Sequence, residues 1–259
     1  MTKGRGIIVI FIALMVGVLG FDYGNDVSSN NTDYIGNAEK QLDAVLSVGS
    51  SVSRERLDTV IKWQGDWNTA YVAEEGAGLI ASELGLVKPS AVKVQNHLVY
   101  RAAGQVGRVP VKFSVTGREE GLYVVAQLDG SSQGDRRELK LAQSEVGREL
   151  SRLGVNIQWS VAVQGSLEGN GIGTPRSTDR NVAKLLSQVE AQAGAFFELR
   201  RVEGFQDEYT ASESYEVPGF GVTVQSGNAK LGLQMAVHLN SGTGAKELSI
   251  GSPILTVEY

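Results

Sequence analysis

The most regular pattern of apolar and polar positions lies near the end of the chain. From Lys230 to Asn240, Leu231, Leu233, Met235, Val237 and Leu239 alternate with Lys230, Gly232, Gln234, Ala236, His238 and Asn240. A period of two predicts a strand with one buried and one wet face. Phe220 to Gln225 alternates too, and Gly227-Asn228 between the two runs is a tight hairpin signal. A further strand is expected from Glu247 to the end, so the chain should close as an antiparallel meander. A second run is equally strict: Val155, Ile157, Trp159, Val161 and Val163 against Asn156, Gln158, Ser160, Ala162 and Gln164.

The remaining elements follow from spacing and punctuation. Ala38, Leu42, Val45, Leu46 and Gly49 predict a helix from about Asn37 to Gly49. Leu57, Thr59, Ile61 and Trp63 predict a strand. Asp66 or Asn68 is expected to cap a second helix bearing Val72, Leu79, Ile80 and Leu84, closed by Pro89. Gly76 and Gly78 weaken that helix but allow close packing on a sheet. Three strands should follow: an irregular one over Val92–Ala102, then Val109–Val115 and Leu122–Leu128 joined by a hairpin at Gly117–Gly121. Asp135 caps a third helix with Glu138 placed for a capping box, a stripe of Leu139, Ala142, Val146, Leu150 and Leu153, and Gly154 as its stop. A fourth helix is expected from near Thr178 to Gly194, and strands over Phe196–Val202 and Tyr209–Val217. Hairpin-connected strands with helices between them argue α+β. The expected architecture is antiparallel sheets with helices packed on one face, in two sequential α-plus-meander subdomains. These are residues 37–165 and 178–259, joined by a glycine-rich linker over 166–177.

The N-terminus changes the picture. Lys3 and Arg5 precede thirteen uncharged residues, Ile7 to Leu19, with Ile7, Ile10, Phe11, Leu14, Val16 and Leu19 among them. A basic start followed by a short apolar run is an export signal, and it is shorter than the roughly 20 residues that span a bilayer comfortably. Residues 1–20 are therefore read as a signal peptide cleaved after Gly20 or as a retained N-terminal membrane anchor. Residues 21–36, rich in Asn, Ser, Gly and Asp, are read as a flexible tether.

The 259 residues are enough for a sizeable core, and there is no cysteine. That excludes disulfides, thiolate nucleophiles and a lipid-bearing cysteine. Removing Lys3 and Arg5 with the first twenty residues lowers 24 bases to 22 against 29 acids, so the net charge moves from −5 to −7. An acidic body opposes nucleic-acid binding on average, although a net charge leaves its distribution open.

No reaction is legible. His97 and His238 have no partners at triad or zinc spacing. Gly165–Thr174 lies between a strand and a helix but lacks the phosphate-loop lysine and the G-x-G-x-x-G spacing. Asp129–Asp135 mimics half a calcium loop, with Lys140 where the bidentate glutamate belongs. No cofactor and no metal is expected. The candidate binding residues are Trp67, beside a loop, and the polar strand positions Gln158, Gln164, Gln234 and His238.

Gln234-Met235-Ala236-Val237-His238, Gly251-Ser252-Pro253-Ile254 and the closing Glu258-Tyr259 resemble the end of the YwmB-like family, as does Trp159 to Gly165 following a helix. The resemblance spans about residues 38–259 in length and order. Ser252 stands where the family pattern has Thr, and the glycine-rich loop at 165–174 departs from it. The resemblance implies an exported protein of Gram-positive bacteria, at the outer face of the membrane or in the wall. It also implies a TATA-box-binding-protein-like fold, with no catalytic residues to carry over. The expected function is a non-enzymatic module for an envelope protein or cell-wall partner, in contact with the membrane only through an uncleaved N-terminus. The alternative is an envelope hydrolase built on two carboxylates brought about 5–9 Å apart by folding. DNA binding, implied by the fold-based name alone, ranks last.

Overall fold

In a computed structural model of the protein, residues 31–94, 96–167 and 181–255 are described. The apolar N-terminal segment and most of the expected linker lie outside them. In chain order the elements are α1 (Asn31–Val52), β1 (Asp58–Trp67), α2 (Ala73–Glu83), β2 (Ser90–Val94), β3 (His97–Val106), β4 (Val109–Gly117), β5 (Leu122–Ser131) and α3 (Arg136–Arg152). The second half continues with β6 (Gln158–Ser166), α4 (Val182–Ala193), β7 (Arg200–Gln206), β8 (Thr210–Glu216), β9 (Val224–Ser226), β10 (Ala229–Leu231), β11 (Leu233–Leu239) and β12 (Lys246–Ser252).

The protein is α+β, and the strands of the two expected meanders join in one large sheet, beside a two-stranded sheet of β9 and β10. Ten strands run in the order β2-β3-β4-β5-β1-β6-β12-β11-β8-β7, all neighbours antiparallel. The halves meet where β1 pairs with β6, with Trp63 opposite Trp159. Each half repeats one order of elements: helix, inner strand, helix, then a meander that starts at the outer edge and returns to the inner strand. All four helices of the described residues pack on one face. Their apolar stripes cover Ile61, Trp63, Val124, Val161, Val163, Met235 and Ile250.

Polar ties fix the helices to this face. Both central indoles donate to one glutamine of α3: Trp63 Nε1 to the Gln143 backbone oxygen at 2.9 Å, and Trp159 Nε1 to Gln143 Oε1 at 2.8 Å. Gly147, one turn on, lets α3 lie against Trp63, since a Cβ there would fall 2.7 Å from the indole. Gln41 of α1 donates to Val222 O and Ser252 Oγ, and accepts from Val222 N.

Several expectations are corrected. The helix α1 begins at Asn31, inside the expected tether, because Ile35 is buried and Tyr34 OH accepts from Trp159 N. The helix α2 has Val72 as its cap with no side-chain bond, because β1 runs on to Trp67 against Leu122 and takes Asp66 into the sheet. The run Val92–Ala102 is two strands, β2 and β3. Lys230–Asn240 is also two strands: β10 forms a separate hairpin with β9, and Gly232 N turns to Tyr215 O before β11 begins. Ser166 ends β6 and Leu167 N bonds Lys246 O, so the expected linker starts as ordered sheet. The α3 cap forms as predicted, Glu138 N to Asp135 Oδ1 at 3.1 Å, but the Glu138 carboxylate accepts from Arg108 N instead of closing a capping box.

Candidate functional site: the helix-free face of the sheet

With the helices on one side, the alternate residues of every strand point to the other. Register places them in rows across the sheet. One row runs Gln158, Gln64, Val125, Ser114, Arg101, Ser90, and the next runs Ser160, Lys62, Gln127, Lys112, Ala103. In the other half Phe205, Ser212, Ala236, Ser249 and Gln164 form a row, followed by Thr210, His238, Glu247 and Ser166.

Over β2–β5 these rows form an open groove enclosing 740 Å³, lined by Ser90, Arg101, Lys112, Ser114, Val125 and Gln127. Asp129 takes Lys112 Nζ at 2.7 Å and Gln127 Nε2 at 2.7 Å, so the lysine charge is matched within the site. Arg101 is exposed and has no ion-pair partner among the described residues. The groove therefore offers hydroxyls, an amide and one unmatched guanidinium on a firm sheet. That set recognises polar ligands and can hold one anionic group.

The predicted binding residues divide. Gln164 is exposed and Gln158 half-buried, both on the helix-free face. Trp67 is in the core, 3% exposed, against Tyr71 and under Gly76, and is not a ligand platform. Gln234 is on the expected face but 6% exposed: the chain turns back after β12, and Leu255 N donates to Gln234 Oε1 at 3.0 Å. The predicted wet face of β11 is thus covered. His238 is half-buried, its Nδ1 2.9 Å from Thr210 Oγ1.

Glu247 stands opposite His238 with its Oε2 buried and without a hydrogen-bond partner among the described residues. Burial raises its pKa above the ordinary carboxylate value, against the pull of His238 and an Asn240 hydrogen bond. Hydroxyl, imidazole and carboxylate share a row, yet no hydrogen bond joins Glu247 to the ring among the described residues, so a relay is incomplete. Glu213 is the second acid with a raised pKa, again through burial. It faces the helices, opposite Met235, whereas Glu247 faces away from them. The two cannot flank one substrate. Near Glu213, Glu190 is taken up by Tyr215 OH and by Arg201 through two guanidinium nitrogens, which ties α4 to the sheet. Among the described residues no group of three metal-ligating side chains converges, and no helix is long and apolar enough to cross a membrane.

The groove was missed by strand periodicity, but the chain carries a signal for it. Between Glu83 and Glu119 there is no acid, while Lys88, Lys93, Arg101, Arg108, Lys112 and Arg118 all fall there. In an acidic protein that run marks one basic end of the sheet.

No family model matches the chain, and no curated protein matches it. Among solved structures it is similar to DynU16, a protein of the dynemicin biosynthetic locus, at 10% identity over 74% of this chain and 86% of that one, with a TM-score of 0.21. At that score the likeness informs neither fold nor function.

Proposed function

We propose that this chain is an exported cell-envelope protein of the YwmB-like kind, with two TATA-box-binding-protein-like halves, that acts as a non-enzymatic binding module. The helix-free face of the sheet holds a protein or cell-wall partner. The observation that carries this reading is the segregation of layers: the helices of the described residues cover one face, and the other presents Gln64, Gln158 and Gln164 beside an open groove that Gln127 and Ser114 help to line. Amide and hydroxyl groups both donate and accept, which suits a peptide backbone or a glycan. The repeated order of elements supports the two-halves reading, and the YwmB-like blocks within the described residues lie on β6, on β11 and at the end of β12.

In-cell photo-crosslinking tests the reading. A photoreactive residue at Gln127 or Gln164 should give adducts that fractionate with the envelope, whereas one at Glu74 on α2 should not. Adducts from Glu74 alone, or a chain found in the cytosol, would overturn it.

A further inference from the structure

The two outer edges of the sheet hold equivalent places in the two halves, yet they are built differently. The β7 edge carries Arg200, Arg201 and Glu203 and breaks register between Arg201 and Glu203. Mixed charge and a bulge are how natural sheets blunt an open edge. The β2 edge has neither. Ser90 to Val94 pairs with β3 in unbroken register, all five residues are exposed, and Val87, Val92, Val94 and Leu98 leave apolar surface around it.

The backbone of β2 has groups to offer. Val94 pairs with His97, three positions along the chain, so that the two can pair only by exchanging their own hydrogen bonds, and alternation repeats this at Val92 and Ser90. The N–H and C=O groups of Ala91 and Lys93 then point away from β3. Charge decides what can pair there. Lys88, Lys93 and Arg101 are exposed and have no ion-pair partner among the described residues, and the nearest acids in sequence are Glu83 and Glu119. A second copy of this chain would set those same cations against themselves. An acidic strand would match them: side chains on one of its faces lie toward Arg101 and on the other toward Lys93.

We infer that β2 is a docking edge for an extended acidic segment of a partner protein, which adds to the sheet as an eleventh strand. Backbone hydrogen bonds supply affinity and the alternate acidic side chains supply selectivity. The inference rests on the edge and is independent of the helix-free face reading.

The probe is a fluorescein-labelled Glu-Val-Glu-Val-Glu-Val peptide, titrated with the full chain by anisotropy at low and physiological salt. Binding that weakens with salt is expected. Ala91→Pro removes an outward donor without touching the charges or the β2–β3 bonds and should weaken binding at least about tenfold. Lys88→Gln with Lys93→Gln should weaken it and flatten the salt dependence. Lys230→Gln, an exposed charge on β10 away from the edge, should leave it unchanged. If Ala91→Pro shifts the urea midpoint, the double glutamine variant carries the test, since both side chains are exposed. Absence of peptide binding, equal binding by the edge variants, equally tight binding of duplex DNA, or a dimer in sedimentation that Ala91→Pro dissociates would each overturn the inference.

Discussion

The seam between the halves can be tested through the glutamine that holds both tryptophans. Trp159 is 1% exposed, and its indole N–H is matched by Gln143 Oε1. The Gln143 Nε2 group is buried without a partner among the described residues. Trp159→Ala should cost about 3–5 kcal/mol, the range for large core truncations. Trp159→Phe keeps a ring in place but leaves Oε1 unmatched, which adds about 1–3 kcal/mol to the loss of packing. Gln143→Leu leaves the Trp159 N–H unmatched at a similar cost, partly offset because the orphaned Nε2 disappears. The Trp63 bond to the Gln143 backbone survives. In the double variant Trp159→Phe with Gln143→Leu neither partner remains to be orphaned, so it should be less destabilised than the sum of its singles by about 1–3 kcal/mol. Urea unfolding followed by far-UV circular dichroism, at matched m-values, measures this. Additivity within about 0.5 kcal/mol would show that the bond contributes nothing. A loss below about 1 kcal/mol for Trp159→Ala would remove Trp159 from the core.

Three further outcomes follow from single contacts. Gly65→Ala would place a Cβ 1.9 Å from the Asn156 carbonyl oxygen, and should cost at least the ~3 kcal/mol upper end of ordinary overpacking; Gly78→Ala, with nothing within 4 Å, should gain about 0.5–1 kcal/mol in helix α2, and a reversed ranking in urea would refute the placement of both. Burial holds the folded-state pKa of Glu247 above its unfolded value, so its contribution is fully present below the ordinary pKa of about 4.3 and is lost as pH rises through the raised value. Glu247→Gln should therefore be more stable than wild type at pH 7 and level with it near pH 4, and a gap independent of pH would refute this. Tyr215→Phe removes a hydrogen bond to the Glu190 carboxylate and should cost about 1.5–3 kcal/mol in the same unfolding assay; a change under 0.5 kcal/mol would be a refutation.

The legible elements are those with one dry and one wet face. The strands around Phe113 and Leu128, and helix α3 with its Asp135 cap, carry their periodicity and punctuation within a dozen residues. Where both faces are wet, as on β2, there is no alternation to read, and the hairpin to β3 stayed hidden in one irregular run. Where both are covered, as on β11, the alternation is present but its polar positions are covered too, by contacts such as that of Leu255 with Gln234. The early start of α1 depends on Tyr34 meeting Trp159, 125 residues away. The joining of both halves in the large sheet likewise depends on pairings of β6 with β1 and β12 that no local pattern encodes. The groove over β2–β5 draws its polar lining from four strands. Its trace in sequence is a charge imbalance, which strand periodicity does not register.

The repeated order of elements sharpens where binding should be sought. Two halves with one connectivity share the constraints of folding, and differences between equivalent places are free to serve binding. At the seam the halves contribute alike, one tryptophan each. Away from it they diverge. The outer edge of the second half is bulged and carries both charges, while that of the first is regular, and its Lys88, Lys93 and Arg101 have no ion-pair partner among the described residues. The helix-free face of the second half carries the short side chains Ser212, Ser214, Ala236 and Ser249, all buried, whereas that of the first opens into a groove. A duplicated framework that needed only stability would gain nothing from an unguarded edge, which invites aggregation. Its presence beside a groove, in a stretch of the chain that carries six bases and no acid, puts the strongest case for partner recognition at the β2–β5 end of the sheet.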